Sequence, residues 1–413
     1  MPVAPVTTMA GRTVETQVGI IGAGPAGLVL GELLADAGID NVVLESKDRH
    51  YVESRVRAGV LEQATVDLLD RHGLSGNVHA HGLVHDGIYM QFNGERHHID
   101  MRRLTGGRAI TVYGQQELVR DLIAHRLETG KKLQFEAEAV AISGLDGSTE
   151  PVIHYLRSGR EETLSCRVVA GCDGFHGISR QSVPPGSLKT FEREFPYAWL
   201  GILAQVAPSS DELVYSFHDR GFALLSMRSP TVSRLYLQVP PDESVGDWPD
   251  ERIWNELDLR LASPGWKLDR GPVIEKSITP MRSFVAEPLR YGRLFLAGDS
   301  GHIVPPTGAK GLNLAIADVK VLSEALATWF ATGDESGLDA YSETCLKRIW
   351  NAQNFSTSMT ALMHLDPGAD AFGLRVQRAL QRFTIDNLNA RSALADNYVG
   401  LPFDSPLSGR DGS

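Results

Sequence analysis

Apolar and polar positions alternate along this chain in two distinct rhythms. Val18 to Ile21 is a short, wholly apolar run that predicts a strand, an apolar-periodic helix comes next and stops at Gly38, and Asn41 to Leu44 predicts the next strand. Two further apolar runs, Val168 to Ala170 and Leu294 to Ala297, also end in Gly and Asp. From about Glu194 to Val239 the rhythm changes to alternating strands, read as YAWLGILAQV, ELVYSFH, GFALLSM and SRLYLQV. The stretch from Asp247 to Asp269 predicts a helical, exposed segment. Leu312, Ala315, Ile316, Val319 and Leu322 keep helical spacing, which predicts a helix to Trp329, and most of the chain beyond it is helical. The expected fold is α/β: a Rossmann-like domain over 14–188 completed by 290–330, a β-rich domain over 189–289, and a helical C-terminal region over 331–403.

The loops between these elements carry the candidate chemistry. Gly22-Ala23-Gly24-Pro25-Ala26-Gly27 joins the first strand to its helix, and Glu45 ends the second strand 18 residues beyond Gly27. A glycine turn alone is weak; with the strand before, the helix after and the acid in place it is the dinucleotide fingerprint. Gly22 allows the tight turn, Gly24 lets a pyrophosphate approach the backbone, and Gly27 lets helix and strand pack closely. Arg55 and Arg57, two apart before a helix, suit either a pyrophosphate or a solvated face. Gln115, near a helix start, either bonds a sugar chain or caps the helix. Asp173 and Asp299 are delivered at strand ends, as in the ligand crevice of a doubly wound sheet. After Asp299 come a Pro-Pro-Thr-Gly turn and a helix opened by Gly308 and Gly311, whose backbone N–H groups and positive end suit an anionic ring such as a flavin. No second GxGxxG occurs, so a nicotinamide cofactor has no Rossmann domain of its own.

The hairpin about Ser229-Pro230-Thr231-Val232 adds a second candidate site. Pairing about that turn sets Ser226 opposite Tyr236 and Arg228 opposite Arg234, so all four project from one face. Two guanidiniums, a hydroxyl and a phenol there either clamp a carboxylate or form an exposed polar face.

Composition narrows the field. With 413 residues, 42% hydrophobic and 22% charged, the chain is long enough for two or three soluble domains. A net charge of −11 spread along it argues against nucleic acid or an anionic membrane as partner. No run approaches the ~18 apolar residues of a membrane span. The first 13 residues lack a signal-peptide pattern and are expected to fray. Cys166, Cys172 and Cys345, in no CxxC spacing, point to reduced thiols in a cytoplasmic protein. His79, His81, His85, His97 and His98 fit no common zinc spacing, so no metal is expected.

GAGPAG with Glu45, RVRAGVLEQ, YGQ, GCDG, GFHGISR, GDSGHIVPPTGAKGLNLA and NYVGLP, in this order, resemble the flavin-dependent aromatic hydroxylases from about residue 16 to 403. The resemblance implies a glutathione-reductase-type FAD domain, a substrate domain with a β-sheet floor, and a helical part that contributes to a homodimer. It implies FAD contacts at Gly22, Gly24, Gly27, Glu45, Arg55, Arg57, Gln115, Asp173, Asp299 and Asn313. Ser226, Arg228 and Tyr236 would hold a substrate carboxylate. Tyr215 would bond a substrate phenol, Tyr398 would bond Tyr215, His85 would connect them to solvent, and the Pro306 carbonyl would lie near the phenol. Lys310 and Arg234 would favour negative charge on phenolate and reduced flavin. The activity implied is hydroxylation of 4-hydroxybenzoate to 3,4-dihydroxybenzoate with O2 and NADPH or NADH, through a flavin hydroperoxide that demands an electron-rich ring and exclusion of water. The rival readings are the same chemistry on 4-aminobenzoate or 3,4-dihydroxybenzoate, or a flavoprotein that does not oxygenate. His176 and Arg282 match nicotinamide-selecting positions; Ser46 replaces the family's arginine after the glutamate, leaving Lys47 and Arg49 to meet a 2′-phosphate, which leans to NADPH.

Overall fold

A computed structural model describes residues 13–55 and 59–403, so Arg57 lies outside the described residues. Its centre is a six-stranded sheet in the order 290–291, 294–296, 168–171, 18–21, 41–44, 132–134. All pairs but the first are parallel. Strands 18–21, 41–44 and 168–171 are buried at every position, as a sheet covered on both faces demands. Helices Pro25–Asp36 and Gly311–Thr332 follow the first and last of the ligand-bearing strands. The helix beside Gln115 spans Gln115–Glu128, which puts Gln115 in its first turn.

One buried charge network locks this layer. Arg126, wholly buried, donates to Glu32 (3.1 Å), to the Asn41 side-chain oxygen (2.6 Å) and to the Lys132 carbonyl (2.9 Å). Two helices and two strand ends are thereby tied at one point. Gly31 makes the room, since a Cβ there would sit 2.6 Å from the guanidinium.

The second layer is an eight-stranded, mostly antiparallel sheet in the order 302–303, 273–287, 189–204, 232–239, 223–229, 214–217, 87–92, 95–100. Three of its members depart from expectation. Gly87–Phe92 and Glu95–Asp100 come from the stretch assigned to the FAD domain; by pairing parallel with Val214–Phe217 they cover what would otherwise be a bare edge. Val273–Glu287 lacks a clean apolar alternation, yet it pairs along almost the whole of Lys189–Ala204. Pro280 sits beside the register break between Glu194 and Ala198, a place where a missing N–H is tolerated.

Both faces of this sheet are covered. Ala198, Leu200, Ile202, Leu235 and Leu237 pack against Ile253, Trp254 and Leu257 of helix Asp250–Arg260, so that helix is amphipathic rather than simply exposed. On the other face Trp199, Tyr215, Phe222, Leu224 and Tyr236 meet Phe355, Met359 and Leu362 of helix Ser336–Met363, and Leu394 and Tyr398 of helix Leu388–Val399. This aromatic interior adjoins the carboxyl end of the parallel sheet through the Gly298–Gly311 segment.

Candidate active site

The glycine loop behaves as its spacing predicts. Gly22 has φ +104°, and a Cβ there would lie 2.4 Å from the Cys172 carbonyl oxygen. A Cβ on Gly27 would lie 2.0 Å from the Gly22 carbonyl oxygen, whereas one on Gly24 would meet nothing within 4 Å. Two glycines are thus required by packing; the third borders open space at the start of helix Pro25–Asp36, which has no side-chain cap. That open, donor-rich cradle fits a pyrophosphate. Glu45 is anchored beside it, its carboxylate accepting the Ala23 and Lys47 N–H groups at 2.9 Å each.

The remaining cofactor candidates divide. Asp299 stands exposed on a 3-10 turn whose neighbours Gly298 and Ser300 are buried, free to face a ligand. Asp173 accepts the Ser179 N–H (2.8 Å) and hydroxyl (2.9 Å) through one oxygen. Its other oxygen is buried without a hydrogen-bond partner among the described residues. Burial raises its pKa, against the pull of Ser179 and Arg180. Arg55 is exposed at the end of a short helix. The Asn313 side chain is occupied within the protein, accepting from the Glu62 N–H and the Thr65 hydroxyl (2.9 Å each) and donating to the Val60 (2.9 Å) and Ala309 (3.1 Å) carbonyls. It staples strand Val60–Glu62 to the helix start, and its backbone N–H, in the helix's first turn, is what remains for a ligand.

Lys310 is likewise engaged. Its ammonium, buried, donates to Glu62 (2.7 Å) and to the Tyr398 carbonyl (3.0 Å). Burial lowers its pKa and Glu62 opposes the fall. Glu62 was not singled out by sequence; only a contact 248 residues away reveals it. Just before Lys310, Ala309 adopts φ +54°, unusual without glycine, and its N–H bonds the exposed Pro306 carbonyl at 3.0 Å.

The hairpin keeps its faces but not its register. Ser226 pairs with Arg234 and Leu224 with Tyr236, and a bulge falls between Met227 and Ser229 at Arg228. The pairing differs from expectation by two residues, an even shift that leaves Ser226, Arg234 and Tyr236 on their predicted face. Tyr215, Leu224, Tyr236 and Gly201 form one row across four strands, with Ser226 and Arg234 in the next row. Arg234 lies over the Tyr236 ring, 5.2 Å from its centroid, with Nε and Nη1 buried and unpartnered among the described residues. Gly114 makes room for the Arg228 guanidinium and Gly201 for that of Arg234; a Cβ would approach them to 2.6 and 2.9 Å. Burial, then the charge of Arg234, lowers the Arg228 pKa, so the two cations face a shared space and repel.

At the other end, the Tyr215 and Tyr398 hydroxyls are 2.6 Å apart and fully enclosed. Burial drives both phenols well above their ordinary pKa. His85 is also enclosed, and neither ring nitrogen has a partner among the described residues. Burial brings it down to about 4 despite Glu212, Asp211 and Asp86 nearby. The structure therefore gives His85 no direct opening to solvent. Behind Tyr215 stands a stack the sequence did not reveal: His364 accepts the Trp199 indole N–H at 2.7 Å and lies against Phe222 and Tyr197. His176 and Arg282 meet on opposite elements at Phe175, with centroid distances of 5.1 and 3.8 Å. Lys47 and Arg49 are exposed beyond Glu45, and Arg49 is paired with Glu53.

A dinucleotide cradle at the carboxyl end of a parallel sheet, with an enclosed aromatic layer on a second sheet, defines a two-layered nucleotide-binding fold. A family model described as an FAD binding domain matches residues 15–356. The p-hydroxybenzoate hydroxylase of Acinetobacter baylyi is 47% identical over 394 residues, covering 95% of this chain and 97% of that one. The rifampicin monooxygenase of Rhodococcus hoagii is 29% identical over 332 residues, 75% of this chain and 63% of its own length. Among solved structures, p-nitrophenol 4-monooxygenase from Pseudomonas putida matches with a TM-score of 0.81 at 20% identity, over 94% of this chain and 99% of that one, a likeness of fold alone. The chain belongs to the FAD-binding flavoprotein monooxygenases that act on aromatic compounds.

Proposed function

We propose that this protein hydroxylates 4-hydroxybenzoate at the 3 position, giving 3,4-dihydroxybenzoate, with O2 and NADPH or NADH. The observation that carries the proposal is a sheet face with two chemically distinct ends: a pair of guanidiniums with Ser226 and Tyr236 at one, the Tyr215–Tyr398 pair at the other. A para-hydroxybenzoate has a carboxylate and a phenol to match. FAD, held by Gly24, Glu45, Asp173, Asp299 and the start of helix Gly311–Thr332, supplies hydride acceptance and O2 activation when bound.

The chain's own part is binding and proton transfer. The carboxylate enters between Arg228 and Arg234, relieving their repulsion and giving the unpartnered donors of Arg234 an acceptor. The phenol meets Tyr215. A free phenol ionises near pH ~10, and its phenolate is far richer in electrons at the adjacent carbon. Tyr215 and Tyr398 resist ionisation, so the pair hands a proton on rather than storing charge, and His85, neutral near pH 7, is a candidate next acceptor. Reoxidation of NADPH and NADH, followed with each of 4-hydroxybenzoate, 4-aminobenzoate and 3,4-dihydroxybenzoate and with product masses determined, tests the proposal. Oxidation stimulated by 4-hydroxybenzoate with no oxygen gained by the product would overturn it.

The division into an FAD domain (14–188 with 290–330), a substrate domain (189–289) and a helical region (331–403) belongs to the same proposal, amended by the strands at 87–100. A homodimer is supported by one face of helix Ala371–Asp386, where Phe372, Val376, Leu380 and Phe383 are 75, 52, 47 and 53% exposed at helical spacing. Phe372→Asp with Phe383→Asp would then halve the mass seen by sedimentation; an unchanged mass removes this face from the interface. Among the described residues no helix is long and apolar enough to cross a membrane, in keeping with a cytoplasmic enzyme that draws on NAD(P)H.

A further inference from the structure

Beneath the Gly298-Asp299-Ser300 turn lies a buried polar cluster that the proposed chemistry does not use. His302 Nε2 and Asp318 Oδ2 are 2.6 Å apart, and the same carboxylate oxygen accepts the Gly298 N–H at 2.9 Å. The two side chains are 1% and 2% exposed. Gly298 has φ +65°, and the turn it opens carries Asp299 outward. Ser300 holds the other side of the turn by donating to the Gly171 carbonyl at 2.6 Å. Asp318, from helix Gly311–Thr332, therefore reaches under the turn and grips its first N–H, and His302, just past the turn, grips Asp318.

The charge state of this cluster matters because it is closed to water. His302 is faced by Asp318 from one helix and by Asp299 from its own turn. Asp318 is faced in turn by Cys345 of helix Ser336–Met363 and influences Cys172 at the end of strand Val168–Gly171. Tyr341 donates to the Leu296 carbonyl at 2.8 Å. Among the described residues no Lys or Arg is bonded to Asp318, so with a neutral imidazole a carboxylate would be buried at a net charge of −1, which is costly. An imidazolium cancels it, at the cost of an Nδ1–H that has no acceptor among the described residues.

We propose that His302, acting through Asp318, is a positioning residue for the flavin-carrying turn, and that its imidazolium form holds the turn in the shape that binds FAD. The proposal deepens the functional one and rests on its assignment of that turn to FAD. Burial opposes the charged ring, but Asp318, and behind it Asp299, outweigh burial and raise the His302 pKa. The ionic part of the grip is then complete below the ordinary histidine range and is lost as pH rises through the raised value, leaving only the Nε2–H hydrogen bond to Asp318.

The test is FAD binding to the apoprotein, read by quenching of FAD fluorescence from about pH 6 to 9, beside the apoprotein melting temperature. Wild type should bind FAD more weakly as pH rises. His302→Gln, which keeps an amide donor but no charge, should bind about tenfold weaker at the acid end and lose the pH dependence. Tyr341→Phe, which removes a hydrogen bond from the same core, should keep the wild-type pH dependence. Wild-type affinity and slope in His302→Gln, or the same loss of slope in Tyr341→Phe, would overturn the proposal. If His302→Gln does not fold, a flat wild-type profile overturns it and a falling one supports it. A wild-type apoprotein that binds no FAD at any pH would instead remove the functional assignment on which it rests.

Discussion

Arg228→Ala tests the carboxylate end of the pocket most directly. In the folded protein Arg228 sits in the hairpin bulge with its guanidinium against Gly114, half-buried, and repelled by Arg234. Truncation would leave a bound carboxylate facing one guanidinium in place of two, at ~2–4 kcal/mol for a buried charge that loses a partner. The change also removes the repulsion between the two arginines in the free protein, which offsets part of the loss. The lower half of that range, ~2–3 kcal/mol, corresponds to a Kd for 4-hydroxybenzoate raised about 30- to 150-fold. Tryptophan fluorescence provides the assay, because Trp199 lies 4.8 Å from the Tyr236 ring and any occupant of the pocket alters its surroundings. The uncharged 4-hydroxybenzamide is the control and should bind the variant no worse than the wild type. A Kd changed less than about threefold, or an equal loss for acid and amide, would refute the carboxylate clamp.

Four further outcomes are expected. Tyr398→Phe leaves the Tyr215 hydroxyl without its 2.6 Å partner, so hydroxylation near pH 7 should fall roughly a hundredfold while 4-hydroxybenzoate binding changes little; a rate near wild type would exclude the proton path. Gly27→Ala should abolish folding or FAD binding, since its Cβ would lie 2.0 Å from the Gly22 carbonyl oxygen. Gly24→Ala should leave the apoprotein melting temperature unchanged and weaken FAD alone; a large drop in that temperature would contradict the open cradle. Finally, His85 and His364 are held neutral by burial, at about 4 and about 3, and so bind a proton in the unfolded chain before the folded one. Stability should fall as pH drops below ~6.5, by up to ~1.4 kcal/mol per pH unit for each, and His364→Phe should reduce the slope of a urea-denaturation series.

The backbone framework was legible in the chain because its signals are local. Val42, Val43 and Leu44 are apolar, bounded by turns, and lie in a strand over Asn41–Leu44, the positions expected. The three glycines of the first loop could be given separate roles because only glycine adopts φ +104° or admits a carbonyl at 2.0 Å. The long strand from Val273 to Glu287 escaped notice because its pattern reports a neighbour, Lys189–Ala204, rather than its own periodicity. The hairpin illustrates the boundary between the two cases. Parity along a strand is local, so Ser226, Arg234 and Tyr236 were placed on the right face, but the tight turn closed by Ser229 and Val232 and the bulge at Arg228 together moved the register by two.

The sequence by itself determined where backbone must turn tightly, which faces are apolar and which motifs accompany one another, and with them the cofactor class. Only the tertiary structure decided what each charged or polar side chain does once water is removed. Glu62 neutralises Lys310 from 248 residues away, and Asn313 spends its amide on the strand it staples. His85 is sealed rather than open, and Asp318 and His302 meet under the flavin turn. The physical reason is common to all of them: spacing along the chain reports geometry over a few residues, whereas burial and pairing depend on which distant segments close over a group, and these set its charge.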